Sequence, residues 1–197
     1  ALGYGTDHDE LFKKYWPADV HLVGKEIVTC LEPYWFRTFR FIKVTIETAE
    51  EPLLLSSFTY LETGYLLEVK TEVTTSDETL APVWDISLRT LRRCMHETYV
   101  DCPYYEQLQY IEDTRLEILY TYAVSGDDRL ARKTIREFAG AQRKDGLLNC
   151  SYPNKCINVI PGFSIYYILM VHDHMMYFGR PEVVREALPV IRRILKY

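Results

Sequence analysis

The sequence predicts a β-sheet region followed by an all-α region, with the boundary after residue 75. Before that point, β-branched and aromatic residues are frequent and apolar residues alternate in part, as in strands with one buried face. After it, apolar residues recur at helical spacing, and short segments rich in glycine and proline separate long helical stretches. We therefore expect two domains, residues 1–75 and residues 76–197.

Four strands are predicted in the first region, at residues 25–30, 34–48, 53–61 and 64–75. These segments are rich in Ile, Val, Thr, Phe and Tyr, and the runs Glu-Pro, Glu-Glu-Pro and Thr-Gly separate them. Four strands supply only half of a β-sandwich, and a sheet of this size needs more chain to cover both faces. The first region is therefore predicted to be part of a β-sandwich.

Five helices are predicted in the second region. The first follows a cap at Ser76 or Asp77 and has Pro82 in its first turn. Pro189 interrupts the last one, which is expected to start later or to kink. The other helical segments are residues 104–124, 128–142, 162–178 and 181–197. Short turns between long helices favour antiparallel neighbours, as in a helical bundle or toroid.

Charge and composition narrow the partners that the protein could have. The formal net charge of -5 gives no reason to expect a nucleic acid or an anionic membrane surface as a partner. No apolar run approaches the length that spans a bilayer. The five cysteines are an odd number without a Cys-x-x-Cys pair, which favours a reducing compartment and therefore the cytoplasm. A disulfide between Cys150 and Cys156 is the less favoured alternative.

No residue is predicted to bind a metal ion or another cofactor. Residues 7–10 (Asp-His-Asp-Glu) are adjacent rather than spaced to share a face, which favours a solvated segment. His172 and His174 lie two residues apart in a predicted helix and therefore on diverging faces. Trp84 falls on the apolar stripe of its helix and is expected in the core.

The segment from Asp101 to Asp113 holds four carboxylates and three tyrosines in thirteen residues. Asp101 is suited to cap a helix whose first turn contains Pro103. In such a helix Glu106 and Asp113 lie two turns apart on one face, and Tyr110 shares that face. Carboxylates for hydroxyl groups and proton transfer, beside an aromatic ring for a pyranose, fit a sugar site. Acids in the first turn of a helix are also favoured by the helix dipole alone, so both interpretations remain.

The Asp-Cys-Pro run at 101–103, with Glu106 and Asp113, resembles the active-site segment of the bacterial α-L-rhamnosidases. The resemblance implies an inverting glycoside hydrolase with an (α/α)6 toroid preceded by β-sandwich domains. It also implies that Glu106 is the general acid and that Asp101 and Asp113 hold the rhamnose. Tyr110 stands where many members carry a tryptophan, and we expect it to contact the sugar.

The resemblance further implies a fragment, with the end of a β-sandwich domain and about five of the twelve toroid helices. The general base in this family is a glutamate beyond residue 197, so no residue here is assigned that role. The expected partner is a rhamnose-containing oligosaccharide or glycoside, the 197-residue chain alone is expected to be inactive, and the oligomeric state stays open. Two alternatives remain: a non-catalytic carbohydrate-binding or scaffold module of the same fold, and an (α/α)6 glycosidase for another sugar.

Overall fold

The computed structural model describes residues 30–197, together with the backbone of two short strands before them. The chain divides into two units, Ala1–Thr63 and Gly64–Tyr197.

The first unit contains a three-stranded antiparallel sheet in the order β2–β1–β3. Its strands are β1 (Leu2–Gly5), β2 (Ala18–Asp19) and β3 (Phe41–Val44). Strand β3 is the only part of the predicted strand 34–48 that is a strand in the structure. The predicted strand 25–30 lies outside the described residues except for its last residue. The β-sandwich therefore stays a prediction.

Two further strand predictions are wrong, because residues 53–61 and 64–75 form no strand. In the first of these segments the apolar side chains are exposed, whereas a strand of a sandwich would bury one face. The second segment runs along the helices instead of along another strand. Lys70 donates its backbone N–H to the carbonyl oxygen of Val124 (2.8 Å), and Leu67 is buried in the helical core. Helix ends therefore take the hydrogen bonds that a neighbouring strand would have taken.

The second unit is built from five helices, in the number and order predicted. They are α1 (Leu80–Arg93), α2 (Ile111–Ser125), α3 (Arg129–Gly140), α4 (Pro161–Phe178) and α5 (Pro181–Ile194). Helix α4 packs against α2, α3 and α5, and apolar residues surround most of its circumference, as expected of a helix among other helices. Among the residues that the structure describes, no helix is long and apolar enough to cross a bilayer.

The helix starts follow local chemistry. The N-cap residue of α1 is Thr79, so the prediction of a cap at Ser76 or Asp77 is wrong, although the Asp77 carboxylate accepts the backbone N–H of Thr79 (3.0 Å). Pro82 lies in the first turn of α1, as predicted. Helix α5 begins at Pro181 and runs through Pro189, so the prediction of a later start is wrong. A proline removes one backbone hydrogen bond, and the buried apolar face of α5 keeps the helix intact across it.

Two single-residue predictions concern the helical core and the cysteines. Trp84 packs, partly buried, against the hydrophobic core, as predicted. Cys150 and Cys156 are free thiols, so the less favoured disulfide is not formed in the structure.

Candidate active site

Residues 101–110, which we call the acid loop, form irregular turns instead of the predicted helix. The Asp101 carboxylate accepts the backbone N–H of Leu108 (2.9 Å), and the Asp101 N–H donates to the Leu108 carbonyl (2.9 Å). Gln107 has a left-handed backbone with φ of 54°, which interrupts any α-helical run. Helix α2 therefore begins only at Ile111, and the sequence argument that placed Glu106 on its face is wrong.

Two further side chains close the acid loop on itself. The Cys102 sulfur accepts the backbone N–H of Glu106 (3.3 Å). The Gln107 side-chain amide donates to the carbonyl oxygen of Pro103 (2.8 Å). Pro103 therefore begins a turn and not a helix, and Asp101 stabilises this loop instead of capping a helix.

Gln109 anchors the acid loop to the rest of the second unit. Its side chain is only 2% exposed, and its amide oxygen accepts the hydroxyl of Thr134 on α3 (2.9 Å). Its amide nitrogen donates to the Glu137 carboxylate (3.1 Å) and to the carbonyl oxygen of Tyr152 (2.8 Å). Every hydrogen-bonding atom of this buried side chain is therefore used, and the loop is tied to α3 and to the segment between α3 and α4.

Glu106 and Tyr110 are brought together across the acid loop. The Tyr110 hydroxyl donates to the Glu106 carboxylate at 2.6 Å, and Glu106 is exposed to solvent. This hydrogen bond is the main reason why the pKa of Tyr110 is raised, so Tyr110 stays a donor at neutral pH. The contact restricts the direction of the Glu106 side chain, which stays exposed to solvent.

Asp113 lies in the first turn of α2 and is half-buried. Burial raises its pKa above the ordinary value, and the charges of Asp101, Glu112 and Glu106 raise it too. Its own backbone N–H acts in the opposite direction. The three predicted acids therefore lie within electrostatic reach of one another, although through the turns of a loop and not along one helix.

The sequence analysis missed Glu117, which lies one helical turn after Asp113 on α2. Glu117 is 9% exposed, and burial, followed by the charges of Asp113 and Asp101, raises its pKa to about 9. Cys94 is its hydrogen-bonding neighbour, and burial raises the pKa of that thiol to about 12. The sequence does show that Glu117 lies four residues after Asp113 and therefore shares its helix face. The fold of the acid loop then decides that this face meets the other acids.

Asp101, Glu106, Asp113 and Glu117, which we call the acid cluster, form no ion pair within residues 30–197. Other acids of the helical unit are paired with cations. Such pairs include Asp127–Arg129, Asp128–Arg132, Glu137–Lys133, Asp173–Arg115 and Glu186–Arg136. Carboxyls without a cation can accept hydrogen bonds from hydroxyl groups of a neutral ligand, and a protonated one can donate a proton.

The two helical histidines diverge as predicted. His174 is fully buried and bonds to the Asp128 carboxylate (3.2 Å), whereas His172 is exposed beside Asp173. The part of the chain that the structure describes contains no group of three His, Cys, Asp or Glu residues placed to hold a metal ion. The segment 7–10 lies outside the described residues.

A family model described as the bacterial alpha-L-rhamnosidase 6 hairpin glycosidase domain matches residues 68–197, well over half of the chain. A solved GH78 family rhamnosidase of Bacillus sp. GL1 is 28% identical with a TM-score of 0.65, over 68% of this chain and 14% of that one. A rhamnosidase from Klebsiella oxytoca with rhamnose bound is 23% identical with a TM-score of 0.61, over 66% of this chain and 26% of that one. At that identity the second likeness shows the fold alone.

A short part of the chain resembles a different class of protein. Over 35 residues it is 71% identical to the methionine–tRNA ligase of Bacillus subtilis and 69% identical to methionine–tRNA ligase 1 of Bacillus anthracis. The match covers 18% of this chain and 5% of each ligase. The chain thus spans a small fraction of these curated relatives, and a match of this extent does not show that it belongs to their family.

Proposed function

Because this chain belongs to the bacterial α-L-rhamnosidase family through its six-hairpin glycosidase domain, we propose that it takes part in hydrolysing terminal α-L-rhamnosides. The observation that carries the proposal is the acid cluster, in which three acids of the predicted motif converge at the start of α2 without a cation. The substrate class is a rhamnose-containing oligosaccharide or glycoside. The reaction is an inverting hydrolysis with two carboxyl groups.

Glu106 is the proposed general acid. It is exposed, so the oxygen of a leaving group can approach it. The Tyr110 hydroxyl donates a hydrogen bond to the Glu106 carboxylate (2.6 Å) and so orients it. A protonated carboxyl keeps a carbonyl oxygen that accepts a hydrogen bond, so Tyr110 orients Glu106 in either protonation state. We assign Tyr110 this orienting role in addition to contact with the sugar.

No residue of this chain is proposed as the general base. An inverting mechanism needs a second carboxylate about 6.5–9.5 Å from the acid, with a water molecule between that carboxylate and the sugar. Glu112 does not suit this role, because it is hydrogen-bonded to Tyr166 of α4. We therefore assign the acid side of the reaction to this chain and assign the base to none of its residues.

Asp101 and Asp113 are the proposed ligands of the rhamnose hydroxyl groups. One oxygen of Asp101 is occupied by the backbone N–H of Leu108, which leaves the other oxygen for a sugar. The Asp113 carboxylate accepts its own backbone N–H. Both carboxylates therefore have acceptor positions left for hydroxyl donors.

Binding of L-rhamnose to the chain tests this assignment. We expect calorimetry or NMR titration to detect L-rhamnose and to give weaker binding of D-glucose. Asp101→Asn and Asp113→Asn should each weaken L-rhamnose binding more than about tenfold, since a hydrogen bond to a charged group contributes about 1.5–3 kcal/mol. The matched control is Asp145→Asn, because the Asp145 carboxylate also accepts a backbone N–H in a loop (3.1 Å) but lies outside the acid cluster.

Two outcomes would contradict the assignment. Unchanged affinity in both Asn variants would remove Asp101 and Asp113 from the site. Equal affinity for L-rhamnose and D-glucose would favour a glycosidase, or a binding module, for another sugar.

A further inference from the structure

Glu117 is a buried carboxyl that the proposed hydrolysis does not use. It is 9% exposed, and its Oε2 atom has no hydrogen-bond partner in the structure. A buried polar atom without a partner costs free energy unless something compensates it, so it calls for a physical account. Glu117 lies four residues after Asp113 on α2, which places both side chains on the same face of that helix.

The surroundings of Glu117 favour its neutral form. Asp113 and Asp101 present negative charge to it, and no cation described in the structure pairs with any member of the acid cluster. A second ionised carboxyl one turn below Asp113 would add like charge in a place shielded from water. The arrangement is stable if one member of the cluster keeps its proton, and Glu117 is the most buried of the four.

We infer that Glu117 is the member of the acid cluster that keeps its proton, and that its neutral carboxyl positions Asp113 to hold rhamnose. The role assigned to Asp113 rests on the proposed function, whereas the protonation of Glu117 does not. The Asp113 carboxylate accepts its own backbone N–H. A charge on Glu117, one helical turn away, would repel that carboxylate. Glu117 is therefore a positioning residue and does not itself touch the sugar.

The titratable groups around Glu117 come from three elements. Cys94 follows the end of α1, Asp101 and Tyr99 precede α2, and Asp113 lies on α2 itself. Helix α4 also packs on α2, and two of its titratable groups are engaged elsewhere. These are Asp173, which is paired with Arg115, and His174, which is bonded to Asp128.

The test follows two carboxyl groups by carbon-13 NMR in the 197-residue chain between pH 4 and pH 10. The Glu117 signal is assigned by its loss in Glu117→Gln, and the Asp113 signal by its loss in Asp113→Asn. We expect Glu117 to titrate near pH 9, far above an ordinary glutamate. We also expect the Asp113 signal to show a second step at the same pH, which is absent in Glu117→Gln.

Binding of L-rhamnose over the same pH range supplies the second measurement. Only the form with neutral Glu117 is expected to bind L-rhamnose. The affinity for L-rhamnose should therefore fall about tenfold for each pH unit above the pKa of Glu117. Glu117→Gln cannot ionise, so its affinity should not change between pH 8 and pH 10. The control Glu186→Gln alters an exposed acid that is paired with Arg136, and it should keep the fall seen in the unaltered chain.

Different results would overturn the inference about Glu117 and the proposed rhamnoside hydrolysis. Titration of Glu117 as an ordinary carboxyl, or an Asp113 signal without the second step, would overturn the inference whatever the sugar does. An alkaline fall in affinity that persists in Glu117→Gln would overturn it as well. If L-rhamnose does not bind at any pH while Glu117 and Asp113 titrate together as expected, the proposed function fails and the coupling of the two acids stands.

Discussion

At the scale of residues, the members of the acid cluster differ in how deeply they are buried. Glu106 is exposed and is held by Tyr110, Asp113 is half-buried, and Glu117 is buried. Burial is the largest cause of the raised pKa of Asp113 and of Glu117. Carboxyls in different surroundings can keep different protonation states at one pH, which lets neighbouring acids serve different purposes.

The buried Glu117 should make the stability of the chain depend on pH. Its pKa is about 9 in the folded chain and about 4.5 in the unfolded chain. Between these values the folded state holds a proton that the unfolded state has released. The free energy of unfolding should therefore fall by about 1.4 kcal/mol for each pH unit across that window.

Glu117→Gln removes this titration, so the Tm of the variant relative to the unaltered chain should rise steadily from pH 5 to pH 9. Thermal unfolding followed by circular dichroism at pH 5, 7 and 9 measures the trend. Glu186→Gln is the control, since the hydrogen bond from Arg136 lowers the pKa of Glu186 and confines its effect to acidic pH. A constant difference in Tm for Glu117→Gln would show that Glu117 is ionised in the folded chain.

At the scale of elements, helices that carry local end signals could be predicted from the sequence. Helices α2 and α4 end at Gly126 and Gly179, which adopt left-handed backbones with φ of 67° and 61°. Helices α4 and α5 begin at Pro161 and Pro181, where a missing N–H has no cost. These signals depend on neighbours in sequence only. The helix ends at the two glycines were predicted from them, whereas a later start was expected for α5.

The acid loop could not be predicted in the same way. Residues 104–110 include good helix formers, but the carboxylate of Asp101 takes the Leu108 N–H, and distant residues on α3 fix Gln109. Tertiary hydrogen bonds therefore override helix propensity here. The motif acids lie within electrostatic reach of one another through the turns of the loop and not along the predicted helix face. Glu117 was missed because its burial arises only in the folded chain.

The anchoring of the acid loop by Gln109 is testable. Gln109→Leu would leave the partners Thr134 and Glu137 and the carbonyl of Tyr152 without their bonds, at about 1–3 kcal/mol for each group that stays buried. We expect a lower Tm and, because the loop loosens, weaker L-rhamnose binding at a temperature where the variant is folded.

Gln142→Leu is the matched control for this experiment. The Gln142 side-chain amide also bonds to two carbonyl oxygens, those of Gly146 (2.8 Å) and Val190 (2.9 Å), but it does not contact the acid loop. It should lower the Tm without weakening the binding of L-rhamnose by the folded chain. Equal affinity of Gln109→Leu and Gln142→Leu for L-rhamnose would contradict the proposal that Gln109 anchors the acid loop.

At the scale of the whole molecule, the family match and the helical unit nearly coincide. The family model covers residues 68–197, the unit comprises Gly64–Tyr197, and the acid cluster lies entirely within both. The five helices could be predicted from periodicity. The strands 53–61 and 64–75 could not be excluded from sequence, because apolar alternation does not reveal whether another layer covers a face.

The general-acid role of Glu106 is tested most directly by kinetics on two leaving groups in the complete enzyme. An alcohol needs a proton to leave, so Glu106→Gln should lower kcat/KM for a natural rhamnoside roughly 10²–10⁴-fold. A nitrophenolate leaves without a proton, so the same variant should lose much less on a nitrophenyl rhamnoside. Asp113→Asn, which affects sugar binding, should lower kcat/KM similarly on both substrates. Equal losses on the two substrates for Glu106→Gln would contradict the general-acid role and leave Glu106 a binding residue.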